Sequence, residues 1–205
     1  MKKVPRPHGK FGPSIEQKSE CGDIRFTLDT VPADGIRLRV SGIEFAGGYE
    51  MTPRLNYAKA FPDGIHALLN LGKVIAASGL EPSLLELVKI RASQINGCAY
   101  CIDMHTKDAR ALGETEQRLY GLSEWRETPF FTPRERAALA WTEALTNIQH
   151  GHASDEAYEE VRPEFDEAEL ARLTLAITYI NGWNRIALGF RAEPGSYQPA
   201  ARASV

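Results

Sequence analysis

The side chains with the greatest chemical capacity cluster in residues 93–105, SQINGCAYCIDMH. Cys98 and Cys101 stand three apart, and His105 comes four residues after the second cysteine. Such a set can serve as a redox pair, as part of a metal site, or as two buried thiols beside an unrelated histidine. Redox chemistry requires two sulfurs on one helical turn, close enough to form a small disulfide, and a thiolate as the attacking species. Bringing a thiol from about 8.5 toward 7 takes a positive potential, which a helix N-terminus or a nearby histidine supplies. Both influences are present in the pattern. Asn96-Gly97 reads as the stop of one helix, so Cys98 falls at the start of the next, where unpaired backbone N–H groups favour an anion. Cys101 and His105, four apart on that second helix, are neighbours on its surface.

Glu86 enters by geometry. In one straight helix over 84–112, Glu86 and Cys98 would lie about 18 Å apart at 1.5 Å per residue and could not cooperate. With a reversal at Asn96-Gly97, Glu86 lies about 15 Å back along the first helix, Cys101 about 5 Å and His105 about 10 Å along the second. His105 is then the nearest of these groups to the level of Glu86. Carboxylate, imidazole, thiol is the order a proton relay needs, with a water bridging the last gap. Each residue also has a structural reading. Ser83-x-x-Glu86 has the form of a capping box, which on sequence alone is the slightly favoured role for Glu86. A lone histidine is usually a surface residue of a helix, but the spacing of His105 from Cys101 makes that the less favoured reading. Zinc on Cys98, Cys101 and His105 lacks a fourth ligand of persuasive spacing among His66, His150 and His152, so no metal is expected.

The run LLELVKIRASQINGCAYCIDMHTKDARALGET resembles the core motif of the alkylhydroperoxidase D-like (AhpD-like) proteins of the carboxymuconolactone decarboxylase superfamily. It has the glutamate twelve residues before the first cysteine, then Cys-x-x-Cys, then a histidine four after the second. The likeness in texture extends from Met51 through YINGWNRIAL. It implies an all-α helical bundle that assembles as a homo-oligomer, a trimer or hexamer, with the site near a subunit boundary. It also implies a thiol peroxidase in which Cys101 is the peroxidatic thiolate, Cys98 the resolving thiol, Glu86 the base acting through water and His105 a relay member. Helix-terminus electrostatics alone would favour Cys98 as the more acidic thiol; adjacency to His105 favours Cys101. The best-known members carry a histidine directly before the second cysteine, where this chain has Tyr100, so one relay member is absent. The partners implied are a hydroperoxide substrate and a dithiol reductant, a lipoyl protein or a thioredoxin-like carrier. No Gly-rich dinucleotide fingerprint appears, and no cofactor is expected. Two other readings remain open: a decarboxylase acting on a muconolactone-type acid, which would leave the cysteine pair unexplained, and a non-catalytic helical oligomer whose thiols sense oxidation or bind zinc.

The elements that must position these residues are helical from Met51 onward. Pro62 opens a segment in which Ile65, Leu68, Leu69 and 71–74 keep an apolar face, and Gly79 closes it. Leu84, Leu87, Val88 and Ile95 share one side of the next helix, which stops at Asn96-Gly97. Residues 98–112 read as a helix ending at Gly113. Thr132-Pro133-Arg134-Glu135 is a capping box opening a helix that carries Ala138, Leu139, Trp141, Ala144 and Leu145. Residues 166–190 form one long helix, or two joined near Gly182. INGC at 95–98 and INGW at 180–183 echo one another; coincidence is the favoured explanation, and the alternative is a pair of similar helical hairpins.

Residues 1–50 have a different texture, rich in Pro, Gly and charge, and DIRFTLDTVPADGIRLRVSGIEF alternates as a strand or hairpin would. The division expected is therefore an N-terminal extension, 1–50, and a helical domain, 51–205. The extension is either a strand-bearing arm or the product of an upstream start choice before Met51, and the intact mass of the natively expressed protein distinguishes the two. Formal charge is 24 minus 27, or −3. With no basic cluster interleaved with aromatics, neither nucleic acid nor an anionic membrane is an expected partner. No segment has the roughly 18 apolar residues that span a bilayer, the basic start lacks the apolar run of a signal peptide, and a cytoplasmic location is the expectation. Three cysteines are too few for a disulfide scaffold, and Cys21 reads as a bystander.

Overall fold

The computed structural model describes residues 52–199 in full and, ahead of them, the backbone of three strands. The chain divides into two compact units, Met1–Glu50 and Met51–Val205. In the first, β1 (Ile15–Ser19), β2 (Gly22–Val31) and β3 (Gly35–Ser41) form an antiparallel sheet in the order β1-β2-β3. Phe26 is set opposite Val40 and Leu28 opposite Leu38, so the alternation in the sequence is that of one hairpin. β1 pairs Ile15 with Phe26; its IEQKS carries no apolar alternation to announce it. Cys21 lies outside the described residues.

The second unit is helical. Its elements are α1 (Tyr57–Ala60), α2 (Pro62–Ala76), α3 (Pro82–Asn96), α4 (Ala99–Ala111), α5 (Glu116–Gly121), a 3-10 turn at Leu122–Glu127, α6 (Pro133–Thr146), α7 (Ile148–Gly151), α8 (Asp155–Val161) and α9 (Glu167–Phe190). Proline at the first helical position opens α2, α3 and α6, where its missing N–H costs nothing. Reciprocal capping boxes start α6 (Thr132 with Glu135) and α9 (Asp166 with Glu169). None of the described helices is long and apolar enough to cross a membrane.

α3 is the central element, packed by α4, α6 and α9. Its Leu84, Leu85, Leu87, Val88 and Ile90 are all buried, each stabilising the fold by about 1.5–3 kcal/mol. Leu84, Leu85 and Val88 join Trp141, Leu173 and Ile177 in one core cluster, while Leu87 and Ile90 join Trp125 and Leu139 in a second. A third, smaller cluster contains Ala92, Cys98, Cys101, Ile180 and Ala187. The cysteines are thus seated where α3 ends, α4 begins and α9 passes.

One expectation requires correction, and one pair of alternatives is resolved. Leu69 and Val74 do not belong to the inward face of α2: they are 45% and 64% exposed, because only one side of α2 meets the rest of the unit. α9 is a single helix, not two, and Gly182 lies inside it. Burial of Ile177, Ile180, Asn184 and Ala187 along α9 outweighs the roughly 1 kcal/mol that an interior glycine costs. INGW therefore does not open a second hairpin resembling the one at INGC.

Candidate active site

The turn between α3 and α4 is built by three consecutive residues. Gly97 sits in the left-handed region at φ +69°, where only glycine is free of a Cβ penalty. The Cys98 N–H reaches back to the Ser93 carbonyl at 2.9 Å and the Gly97 N–H to the Gln94 carbonyl at 3.2 Å, closing α3 in a Schellman arrangement. Cys98 then becomes the N-cap of α4: at φ −87° and ψ 90° its Sγ accepts the Cys101 N–H at 3.4 Å. One residue ends the first helix and caps the second. Cys98 and Cys101 are joined as a disulfide with Cα atoms 5.4 Å apart, and each is only 1% exposed.

Asparagines fix this turn from below. Asn96 Nδ2 donates to Asn181 Oδ1 at 3.0 Å and to Asn184 Oδ1 at 2.8 Å, and Asn184 Nδ2 donates to Ser93 Oγ at 3.0 Å. Asn181 Nδ2 in turn donates to Thr146 Oγ1 at 3.0 Å. Half-buried Asn96 and the buried Ser93, Thr146, Asn181 and Asn184 satisfy one another across α3, α6 and α9, so the end of α3 is held in one register.

The reversal brings Glu86 and His105 together. His105 Nδ1 donates to Glu86 Oε2 at 2.8 Å, and Lys89 Nζ donates to Glu86 Oε1 at 2.7 Å. Burial alone would raise the Glu86 carboxyl, but the hydrogen bond and charge of His105, with those of Lys89, bring it below its ordinary value of 4.5. Glu86 is a carboxylate at neutral pH and His105 is bound through Nδ1, which leaves Nε2 as the ring nitrogen free for proton exchange. The capping-box reading of Ser83 and Glu86 is corrected: the N-cap of α3 is Glu81, which makes no side-chain cap bond. Starting the helix at Pro82 places Glu86 beyond the first turn, where both its oxygens are engaged by His105 and Lys89.

His105 and Lys89 line a cleft of about 640 Å³ together with His66, Lys73, Ile75 and Tyr179. Tyr100 faces elsewhere: it lines a separate cavity of about 590 Å³ with Tyr57 and Phe190 and packs against the cluster that holds the cysteines. Of the sequence-derived residues, Glu86 and His105 are in direct contact, and Cys98 and Cys101 are bonded to one another. His66 shares the cleft with His105, whereas His150 and His152 lie in and just after α7. Glu86, His105 and Asp108 bring their ligand atoms within 4.8 Å of one another, but the Lys89 ammonium and the His105 N–H already take both Glu86 oxygens, an arrangement suited to proton handling rather than to a cation.

Sequence reasoning missed four residues here. Asp108, three after His105, and Lys89, three after Glu86, had the helical spacing that would have found them. Asn184 and Tyr197 had no local signal, because their partners lie 91 and 89 residues away.

Residues 62–144 match the model of the carboxymuconolactone decarboxylase family. YdfG of Bacillus subtilis (strain 168), an uncharacterized protein, is 46% identical over 144 residues, which is 69% of this chain and 98% of that protein. A crystal structure of a protein of unknown function from Agrobacterium tumefaciens, described as a candidate antioxidant defence protein AhpD, is 45% identical with a TM-score of 0.69. The match covers 71% of this chain and all of that one. The debrominase Bmp8 shares the fold at 22% identity and a TM-score of 0.61, over 67% of this chain and 74% of its own.

Proposed function

The chain is an AhpD-like member of the carboxymuconolactone decarboxylase family, and we propose that it is a thiol peroxidase reducing hydroperoxides through Cys101 and Cys98. The observation carrying this reading is the 2.8 Å bond between the Glu86 carboxylate on α3 and His105 on α4, one turn after Cys101 of the joined pair. In the reduced protein, the Cys101 thiol passes its proton toward the imidazole, through water where the gap requires it, and Glu86 holds the ring. The thiolate attacks the terminal oxygen of the hydroperoxide, the O–O bond breaks, and the alcohol leaves with the relay proton. Cys101 becomes a sulfenic acid; Cys98 sulfur displaces its hydroxyl as water and closes the disulfide. The sum is one hydroperoxide and two thiols giving one alcohol, one water and one disulfide. A dithiol reductant, a lipoyl protein or thioredoxin-like carrier, restores the pair.

The cleft beside His105 has room and apolar wall, including Leu69, Ile75 and Ala76, for the carbon part of an organic hydroperoxide. Homo-oligomerisation as a trimer or hexamer belongs to the same proposal. Its support is the apolar surface of α2 and its cap, where Phe61 is 67% and Val74 64% exposed.

The test is rapid mixing of fully reduced protein with an equimolar amount of cumene hydroperoxide, followed by mass analysis of the thiols. The expected result is rapid formation of the Cys98–Cys101 disulfide, abolished by Cys101→Ser. Cys98→Ser leaves a sulfenic acid that a dimedone-type probe captures. Both thiols remaining intact would overturn the peroxidase reading and turn attention to the decarboxylase side of the family.

A further inference from the structure

The segment after α9 plays no part in the reaction described above, yet it is tied to α4 by four hydrogen bonds. Gly195 N–H donates to Asp103 Oδ2 at 3.0 Å, and Lys107 Nζ donates to the Gly195 and Tyr197 carbonyls at 3.3 and 3.0 Å. The shortest is the Tyr197 hydroxyl donating to Asp108 Oδ1 at 2.6 Å. Asp108 Oδ2 stands 3.9 Å from His105 Nδ1. That nitrogen already gives its proton to Glu86, so Asp108 acts on the ring through charge and not through a second hydrogen bond. Two carboxylates therefore flank one edge of the imidazole, Glu86 from α3 and Asp108 from α4. Lys89 neutralises the first. The second has the phenol of Tyr197, without which a side chain 27% exposed would be free to turn toward water.

We propose that Tyr197 is a positioning residue for the thiol site: its hydroxyl fixes Asp108 against His105, and the clamped imidazole stabilises the Cys101 thiolate. This rests on the reading of Cys101 and His105 as thiol and relay. Burial, then the bond to Asp108 and the charges of Asp108 and Glu86, keeps the phenol protonated well above its ordinary range. Tyr197 therefore remains a donor wherever a thiol titrates. Other titratable or charged groups near this surface are Lys89 on α3, His66 and Lys73 on α2, Tyr179 on α9, and Tyr100, Asp103 and Lys107 on α4. The chain has three cysteines, so Cys21→Ser with Cys98→Ser leaves Cys101 as its only thiol, and serine keeps the N-cap of α4 satisfied.

Thiolate absorbance against pH on this reduced full-length protein reads Cys101 without peroxide or reductant. Tyr197→Phe is expected to raise the midpoint by about half a pH unit, about a threefold loss of thiolate below the midpoint. In an Asp108→Asn background the same change is expected to add no further shift, because the phenol acts through that carboxylate. An unmoved midpoint, with or without a lower melting temperature, or an equal shift in the Asp108→Asn background, would overturn the proposal. A native protein inert to cumene hydroperoxide whose Cys101 midpoint still responds to Tyr197→Phe would overturn the peroxidase reading and keep the positioning role.

Discussion

Ile95-Asn96-Gly97 and Ile180-Asn181-Gly182 are the same tripeptide with opposite outcomes. At the first, glycine turns left-handed and α3 ends; at the second, α9 runs through to Phe190. The difference lies in the next residue and in its surroundings. Cys98 can accept the Cys101 N–H and open a new helix, whereas Trp183 packs edge-on against Tyr57 and Tyr179, ring centroids 6.4 and 6.2 Å away, and is held in the helix it belongs to. The two sites also meet, since Asn96 donates to Asn181. An unbroken helix thus braces the broken end of another, and the cysteines stand on the braced turn.

The bracing of α3 by α9 is weakened most by a change at Asn184, which is fully buried and joins Asn96 to Ser93. Asn184→Ala removes both bonds and leaves a small void, and is expected to destabilise the helical unit by about 2–3 kcal/mol in denaturant unfolding. A loss within about 0.5 kcal/mol would mean that the turn holds itself and α9 does not brace it.

A smaller loss is expected from Gly97→Ala. No atom lies within 4 Å of the added Cβ, so the cost is that of the left-handed backbone alone, about 1–2 kcal/mol. Gly97→Asn should recover part of it, because asparagine visits that region more readily. Equal losses from the two variants would indicate that φ at this position is not the constraint. The mirror experiment is Gly182→Ala, where again nothing lies within 4 Å but the backbone is helical. It is expected to stabilise by about 1 kcal/mol. Opposite signs for the same substitution in the same tripeptide would express the difference between the two contexts as a measured quantity.

This contrast also marks how far the sequence can be read. The stop at Asn96-Gly97, the capping box at Thr132 and the convergence of Glu86 with His105 are legible because each depends on neighbours within a few residues or on one helical reversal. The continuity of α9 is legible only as one of two alternatives, because Gly182 can end a helix until the burial around it is known. The role of Glu86 misleads for a related reason: Ser83-x-x-Glu86 has the capping form, and only the true start at Pro82, with Glu81 as N-cap, moves Glu86 to the interior of α3. The outward turn of Leu69 and Val74 depends on what α2 lacks as a neighbour, which no local pattern records. Asn184 and Tyr197 act across about ninety residues, beyond any spacing rule.

The smallest effect separates the two ends of α3 by pH. Its C-terminal end is held by neutral amides and a hydroxyl, whose bonds do not change on acidification, while Glu86 on the same helix is held by His105 and Lys89 as a charge. Because its folded-state pKa lies below 4.5, the stabilisation from Glu86 is fully present above that value and fades as pH falls through the lower folded value. Asp103, Glu143 and Glu169 are lowered as well, so the native protein keeps an acid slope from several sources, and the informative quantity is a difference. Glu86→Gln should flatten the stability slope below pH 4.5 relative to the native protein, whereas Asn184→Ala should shift the whole curve down without changing its slope. Parallel curves for native and Glu86→Gln protein would mean that Glu86 gains nothing from being charged, and the carboxylate–imidazole contact would then be ordinary packing and not the proton-handling pair that the peroxidase reading requires.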